Sequence, residues 1–444
     1  MSMLATASSF QAQSCQSDPP PLQTLKDSID RRGMEVFVAR QAIFDRRLKV
    51  YGYELLFRPC RDCDAAGAVD SAASLQVITN SFFSIGMERL LGGTRAFINF
   101  PEDLLSDERI LSLPTSKTVI EILETVRPDP PVVEACRALR EKGFVLALDD
   151  FSHLKGWDRL ANLVSIIKVD FRATTEAEQQ ALAERYAGRG ICMLAEKVET
   201  QEEFARACRM GYHYFQGYFF ARPVIVSRRE IPGSKLAYLK ILKEIHRPEL
   251  ELSVLEKLIQ REVSLASKLL RYINSSIFGW VNPVHSIRQA LALLGEQEIR
   301  NWVSLATLPT LASDKPDELI RTALLRARFS ELLAPWAGIG ARKADLFLVG
   351  LFSALDAMLG RPVAEILSEM RLGGDIAEAL LGTAPPDQPL AGVYAFVRQY
   401  ETGDWDQLPQ TAARLRVPAE LVTDLYLEAA AWADQIFREG LGAH

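Results

Sequence analysis

Short apolar runs alternate with amphipathic segments over residues 35–223, and this alternation restricts the fold more than any other feature of the chain. Strands that alternate with helical segments are typical of a parallel sheet covered by helices. The length of the region predicts a closed, TIM-like β/α barrel of about eight strands, and an open doubly wound sheet is the alternative. The runs interpreted as strands are EVFVARQAIF, VYGYELLFR, AFINF, TVIEIL, FVLALDDF, SIIKVDF, CMLAEKV and YFQGYFF.

The other parts of the 444-residue chain differ from this region in composition. Residues 1–33 are rich in Ser, Gln and Pro and lack periodicity, which predicts a disordered tail. Residues 34–223 are interpreted as the α/β barrel and residues 224–235 as a linker. Residues 236–440 show amphipathic helical patterns and no clear strand, which predicts a second, all-α domain. We expect three arginines of that domain to lie on a helix face exposed to solvent: Arg321, Arg326 and Arg328.

Charge and hydropathy exclude several classes of protein. The formal net charge of −6 argues against a broad surface for nucleic acid or anionic membranes. No apolar run reaches the roughly 18–20 residues of a membrane span, and the pattern of a secretory signal is missing. The cysteines are scattered, and Cys60 and Cys63 form half of a metal or redox motif without a second half. We expect a cytoplasmic protein with free thiols that binds neither DNA nor membranes.

Polar side chains stand at or near the carboxyl ends of seven successive strand candidates. In a β/α barrel these ends open onto one face, so the side chains are expected to converge. Several carboxylates and an amide oxygen, without His or Cys, favour Mg²⁺, Mn²⁺ or Ca²⁺ over zinc. The residues concerned are Glu54, Asn99, Glu121, Asp149 and Asp150, Lys168 with Asp170, Glu196, and Gln216.

This residue set predicts a metal-dependent site for phosphate esters. Hard divalent ions neutralise phosphoryl oxygens and lower the pKa of water. Lys168 is expected to hold a neighbouring carboxylate, orient a water molecule or help to remove its proton. Arg58, four residues after Glu54, offers a planar fork for a phosphate oxygen or a guanine edge.

The same segments resemble a known family, the EAL-domain cyclic di-GMP phosphodiesterases. YGYELLFR resembles the E-A-L-x-R signature, FINF the asparagine segment, EILE the E-I-T-E segment and ALDDF the D-D-F segment. IKVD, AEKVET and QGYFFARP resemble the segments that follow, in the same order and approximate spacing. The resemblance implies a barrel that hydrolyses cyclic di-GMP to the linear dinucleotide pGpG with two Mg²⁺ or Mn²⁺ ions.

The resemblance also implies a role for each matching residue. Lys168 would assist the attacking water, Glu196 would share in catalysis, and Glu124 would steady a nearby loop. Ligand binding would fall to Arg58, Gln216, Asp170 and Glu199. The implied metal ligands are Glu54, Asn99, Glu121, Asp149, Asp150 and Glu196.

The segment from VSLASKLLRYINSSIFG to EIRNWVSL resembles the HDOD domain, a helical relative of the HD phosphohydrolases without their metal ligands. None of the five histidines precedes an aspartate, so no HD-type metal site is expected in this half. The whole arrangement resembles bacterial EAL–HDOD signalling proteins. This resemblance implies a protein partner for the helical domain and a possible homodimer.

Three positions depart from the EAL pattern and leave two hypotheses open. Ser152, His153 and Leu154 stand where a G-T-G loop is usual, Lys197 replaces a glycine, and Leu55 replaces the alanine of the signature. One hypothesis is a cyclic di-GMP phosphodiesterase with an unusual loop. The other is a catalytically impaired sensor or adaptor that acts through protein contacts of the helical domain.

Overall fold

The computed structural model describes residues 36–59, 91, 93–151, 157–220, 233–247, 249–274, 283–370, 372, 374–385, 387–405 and 407–438. The predicted tail and most of the predicted linker lie outside these residues. The chain divides into two compact units. Among the described residues, one unit comprises residues 36–220 with Tyr400–Trp405, and the other comprises residues 233–399 and 407–438.

The first unit contains a closed barrel of eight strands that neighbour one another in sequence order. This arrangement confirms the predicted TIM-like barrel and excludes the open doubly wound sheet. The strands are β1 (Val36–Asp45), β2 (Val50–Pro59), β3 (Arg95–Phe100), β4 (Thr118–Ile122), β5 (Val145–Leu148), β6 (Ile166–Asp170), β7 (Cys192–Glu196) and β8 (Tyr214–Gln216).

The first strand runs against the rest of the barrel. β1 is antiparallel to both β2 and β8, whereas β2–β8 are parallel. The expectation of a parallel sheet is therefore wrong for β1. The cause is the short turn before β2, in which Asp45 Oδ1 accepts from the backbone N–H groups of Arg47 (2.8 Å) and Lys49 (2.9 Å). A turn of this length reverses the chain, because a parallel pair needs a crossover of a dozen or more residues.

Helices follow four of the parallel strands: α1 (Pro130–Glu141), α2 (Asp158–Ala161), α3 (Glu176–Tyr186) and α4 (Gln201–Met210). Two of them begin at a capping box, in which Thr175 pairs with Glu178 and Thr200 with Glu203. Each box satisfies backbone N–H groups that the first helical turn leaves without partners. These caps fix where the chain leaves the sheet, directly after the polar strand ends.

Replacing Gly217 is expected to distort the end of β8. This glycine has φ +139°, and a Cβ atom there would lie 2.1 Å from the carbonyl oxygen of Val198. We expect Gly217→Ala to lower the free energy of unfolding of the barrel by about 2–3 kcal/mol, measured by urea denaturation. Gly188→Ala is the matched control, because no atom lies within 4 Å of its Cβ position. Equal stability of the two variants would contradict this prediction.

The second unit is helical in its described residues, which confirms the predicted all-α region. The helices are α5 (Gly233–Ile245), α6 (Leu252–Gln260), α7 (Val263–Ile273), α8 (Ile287–Leu294), α9 (Glu296–Leu311), α10 (Asp317–Leu333), α11 (Lys343–Phe352), α12 (Leu355–Leu359), α13 (Val363–Met370), α14 (Gly374–Leu381), α15 (Pro389–Thr402), α16 (Leu408–Leu415) and α17 (Ala419–Ile436). None of the helices described is both long enough and apolar enough to span a membrane.

The expectation of a solvated arginine face on α10 is wrong. Arg326 is 2% exposed and Arg328 is 8% exposed. Arg326 donates to Ser353 Oγ (3.1 Å), and Arg328 donates to Glu331 and Glu428 (both 2.8 Å). Arg321 is partly buried and pairs with Asp434 at 3.1 Å. Buried guanidinium groups are tolerated where carboxylates and hydroxyls satisfy them, and no local sequence pattern shows these distant partners.

Acid is expected to destabilise the helical unit through His246. Its Nε2 lies 3.4 Å from Ser304 Oγ, its ring meets Phe352 edge-on, and burial, helped by the Arg300 charge, lowers its pKa to about 3. An unfolded histidine titrates near pH 6.5, so the unfolded state gains the proton first and stability falls as the pH drops below that value. We expect a loss of about 1–2 kcal/mol between pH 7 and pH 5 in urea denaturation, absent in His246→Gln. An unchanged pH dependence in that variant would contradict the assignment.

Candidate active site

The strand alternation places the polar residues in one layer inside the barrel. A cluster of buried apolar side chains fills the interior, with one residue from each of six strands: Ile43, Phe97, Val119, Ala147, Ile166 and Leu194. Residues two apart on a strand face the same side. On β3 to β7, the residue two positions after each of these apolar residues is polar. These polar residues are, in strand order, Asn99, Glu121, Asp149, Lys168 and Glu196. The polar layer therefore lies directly on the apolar layer, at the carboxyl ends of the strands.

Lys168 stands among four carboxylates of this layer. Its side chain is fully buried, and its Nζ lies 2.7 Å from Asp149, 2.8 Å from Glu121 and 2.9 Å from Glu196. Glu54 is farther away, with 3.6 Å between its Oε2 and the Lys168 Nζ. A single ammonium thus balances four acidic groups drawn from β2, β4, β7 and the end of β5.

Two amides orient the Glu54 carboxylate. Gln216 Nε2 donates to Glu54 Oε2 at 2.6 Å, and Asn99 Nδ2 donates to Glu54 Oε1 at 3.1 Å. Gln216 Nε2 also lies 2.8 Å from Gln41 Oε1. Gln41 is a site residue that the sequence analysis missed. It precedes Ile43 by two positions, so it enters the polar layer because β1 runs in the opposite direction.

The electrostatics of the layer call for additional positive charge. Burial raises the pKa of Glu121 well above its usual value, raises that of Asp149, and raises that of Glu196 to about 8. Burial also acts on Glu54, but Lys168 and the two amide donors outweigh it and lower the pKa of this carboxyl. Burial acts against the charge of Lys168, yet the surrounding carboxylates raise its pKa. Without a further cation, part of this acidic set takes up protons.

The donor atoms fit a hard divalent cation. Ligand oxygens of Asp149, Asp150 and Glu196 all lie within 4.8 Å of one another. In the same layer, Asn99 Oδ1, Glu121 Oε2, Glu196 Oε2 and Gln216 Oε1 are buried and accept no hydrogen bond from the described residues. Buried oxygens without donors are costly unless a cation or water satisfies them. Carboxylate and amide oxygens are ligands typical of Mg²⁺, Mn²⁺ and Ca²⁺.

Two residues predicted to bind ligand form ion pairs with other side chains of the protein. Asp170 Oδ1 accepts from the backbone N–H groups of Arg172 (2.6 Å) and Ala173 (3.2 Å), and its Oδ2 pairs with Lys197 at 2.5 Å. Glu199 pairs with Arg172 at 3.2 Å. Both carboxylates are engaged in the turns that follow β6 and β7, so the structure does not place either of them in the polar layer.

The remaining predicted positions lie at the margin of the described site or outside it. Glu124 is exposed, two residues after β4, and no hydrogen bond or ion pair joins it to the described residues of the polar layer. Arg58 lies in β2, but its side chain is outside the described part, as is the whole segment of Ser152, His153 and Leu154. Leu55 is buried, and the alternation of β2 turns it to the face opposite Glu54.

The fold and the site define a class: an EAL-type barrel followed by a helical HDOD domain. The chain matches the EAL domain over residues 66–223 and the HDOD domain over residues 231–363. β1 and β2, which carry Gln41 and Glu54, precede the matched part of the barrel. With the relatives described next, these matches show that the chain belongs to the EAL–HDOD family.

Two relatives are similar over nearly their whole length. The cyclic di-GMP phosphodiesterase CdgJ of Vibrio cholerae is 33% identical over 433 residues, 96% of this chain and 98% of that protein. The uncharacterized protein YuxH of Bacillus subtilis is 33% identical over 411 residues, 91% of this chain and 99% of that protein. Among solved structures, Klebsiella pneumoniae BlrP1 with manganese and cyclic di-GMP aligns at 26% identity and a TM-score of 0.37, over 43% of this chain and 56% of that one.

Proposed function

We propose that this protein is a cyclic di-GMP phosphodiesterase that produces linear pGpG with the help of Mg²⁺ or Mn²⁺. The observation that carries the proposal is the buried acidic layer around Lys168, with amide and carboxylate oxygens that lack donors. Membership of the EAL–HDOD family and the similarity to CdgJ, a cyclic di-GMP phosphodiesterase, support the choice of substrate.

The metal ligands we propose are those of the polar layer and the adjoining strand end: Glu54, Asn99, Glu121, Asp149, Asp150 and Glu196. Divalent ions bound there would neutralise phosphoryl oxygens and lower the pKa of water. In the reaction, the oxygen of one water molecule forms a bond to phosphorus, the bond from phosphorus to the ribose 3′ oxygen breaks, and that oxygen takes up a proton. One of the two phosphodiester bonds is opened, which gives a 5′ phosphate and a 3′ hydroxyl.

The chain's own residues would position these groups. Gln216 and Asn99 fix both oxygens of Glu54, so this carboxylate holds one orientation before any ligand binds. Lys168 holds Glu121, Asp149 and Glu196 together and supplies a buried positive charge beside the reacting phosphate. Groups fixed in advance stabilise developing charge without reorganisation. Arg58, on the neighbouring β2, would contact the nucleotide.

A direct assay tests the proposal. The purified full-length chain is incubated with cyclic di-GMP and Mn²⁺, and the products are separated by chromatography. We expect pGpG to accumulate, and we expect excess EDTA to stop its formation. If calorimetry detected binding of cyclic di-GMP but no pGpG formed, the phosphodiesterase hypothesis would be contradicted and the sensor hypothesis favoured.

We also propose that the helical unit contacts a protein partner or a second copy of the chain. Val263 at the start of α7 is 80% exposed, and Leu252 at the start of α6 is 38% exposed. Light scattering of the wild type and of Val263→Asp tests self-association: dimers lost in the variant would support it, and monomers in both would contradict it.

A further inference from the structure

Lys197 adopts a backbone conformation that is unusual for its side chain. It follows the last residue of β7 and has φ +54°, in the left-handed region that favours glycine. Such a conformation costs about 1 kcal/mol or more and persists only where the surroundings hold it. Something in the fold therefore fixes this lysine in place.

Asp170 is the group that holds Lys197. Their ion pair measures 2.5 Å, and Asp170 itself is anchored by two backbone N–H groups of the turn after β6. Asp170 is also the strand neighbour of Glu196 across β6 and β7. The Lys197 ammonium is therefore paired with a carboxylate that is itself anchored at the end of β6, although the Lys197 side chain is 57% exposed.

The Lys197 ammonium lies close to the edge of the acidic layer. Lys197 directly follows Glu196 in the chain, and its ion-pair partner Asp170 is the strand neighbour of Glu196. Burial acts against the Lys197 charge, but the hydrogen bond to Asp170 and the nearby carboxylates of Asp150 and Glu196 raise its pKa. These two residues, with Asp149, form the cluster whose oxygens lie within 4.8 Å of one another. Lys168 lies inside the layer in contact with four carboxylates, whereas Lys197 stands at its edge and contacts Asp170.

We propose that Lys197 acts as a permanent charge that lowers the affinity of the Asp149–Asp150–Glu196 cluster for a divalent ion. This inference rests on the metal site of the proposed function. The ammonium offsets part of the cluster's negative charge before metal binds, and it repels a doubly charged ion once the ion has bound. Asp170 is thus a positioning residue for Lys197.

Mn²⁺ binding without nucleotide tests the inference. The full-length chain is titrated with Mn²⁺ and followed by electron paramagnetic resonance, so the readout does not depend on turnover. We expect Lys197→Gln to bind Mn²⁺ at the Asp149–Asp150–Glu196 cluster about 10-fold more tightly than the wild type. Lys197→Gly should show the same gain in Mn²⁺ affinity. Because glycine adopts a positive φ without strain, a folding defect is not expected in this variant. Lys197→Arg, which keeps the charge, should bind Mn²⁺ like the wild type.

Two results would overturn the inference: equal Mn²⁺ affinity in Lys197→Gln and the wild type, or no Mn²⁺ binding in any of these proteins. The proposed function fails separately. Tighter Mn²⁺ binding in Lys197→Gln, together with no pGpG from any variant, would support the charge effect and contradict the phosphodiesterase. Accumulation of pGpG with equal Mn²⁺ affinity in Lys197→Gln and the wild type would support the phosphodiesterase and contradict the charge effect.

Discussion

The Lys168→Met variant is expected to lose about 3–5 kcal/mol of stability in the absence of metal, because it leaves buried carboxylates without their cation. The ammonium lies within 3.6 Å of four carboxylates and is itself fully buried. Methionine preserves most of the apolar volume of the side chain, so the loss reflects charge more than packing. Urea denaturation of EDTA-treated protein at pH 8 measures the effect.

Added metal and lower pH should both reduce this loss of stability, because each relieves the uncompensated negative charge of the layer. Added Mn²⁺ supplies positive charge to the same oxygens, so it should stabilise Lys168→Met more than the wild type. Lower pH should shrink the deficit, because burial has raised the pKa values of Glu121, Asp149 and Glu196 and these groups then accept protons.

The matched control for this variant is Lys142→Met, which removes an exposed lysine at the end of α1. Its stability should stay within about 0.5 kcal/mol of the wild type. If metal-free Lys168→Met proved as stable as Lys142→Met, the buried layer would not depend on this ammonium.

Most of the site could be predicted because residues at the carboxyl ends of parallel barrel strands meet on one face of the barrel. Glu121, Asp149 and Glu196 stand at strand ends in the sequence, and parallel strands bring those ends together around Lys168. The rule needs only the strand positions and their period of two.

The missed features depend on information that is not local in sequence. Gln41 contacts Gln216 because β1 is antiparallel. The amino-terminal half of β1 therefore lies beside the carboxyl ends of the other strands, and a rule that considers only carboxyl ends does not find Gln41. The engagement of Asp170 depends on Lys197, which is 27 residues away in the chain. Burial of Arg328 depends likewise on Glu428, at a separation of 100 residues.

The Glu54→Gln variant is expected to lose at least about 1000-fold in the rate of cyclic di-GMP hydrolysis, because several kcal/mol of charge stabilisation disappear with one ligand. Gln216 and Asn99 each donate to one oxygen of Glu54. An amide at this position turns its own N–H₂ group toward one of those donors, so the variant loses both a charge and a hydrogen bond.

The fold of this variant should survive, which makes the kinetic result interpretable. Removing one of four carboxylates beside Lys168 reduces repulsion within the layer, and glutamine keeps the shape of glutamate. We expect Glu54→Gln to remain folded in the absence of urea and to bind Mn²⁺ more weakly. Glu141→Gln, on an exposed position of α1, is the control that should keep full activity. If Glu54→Gln kept more than a tenth of the wild-type rate, the reaction would not depend on this carboxylate. A tenfold change in rate corresponds to only about 1.4 kcal/mol, which is less than the loss expected for a metal ligand.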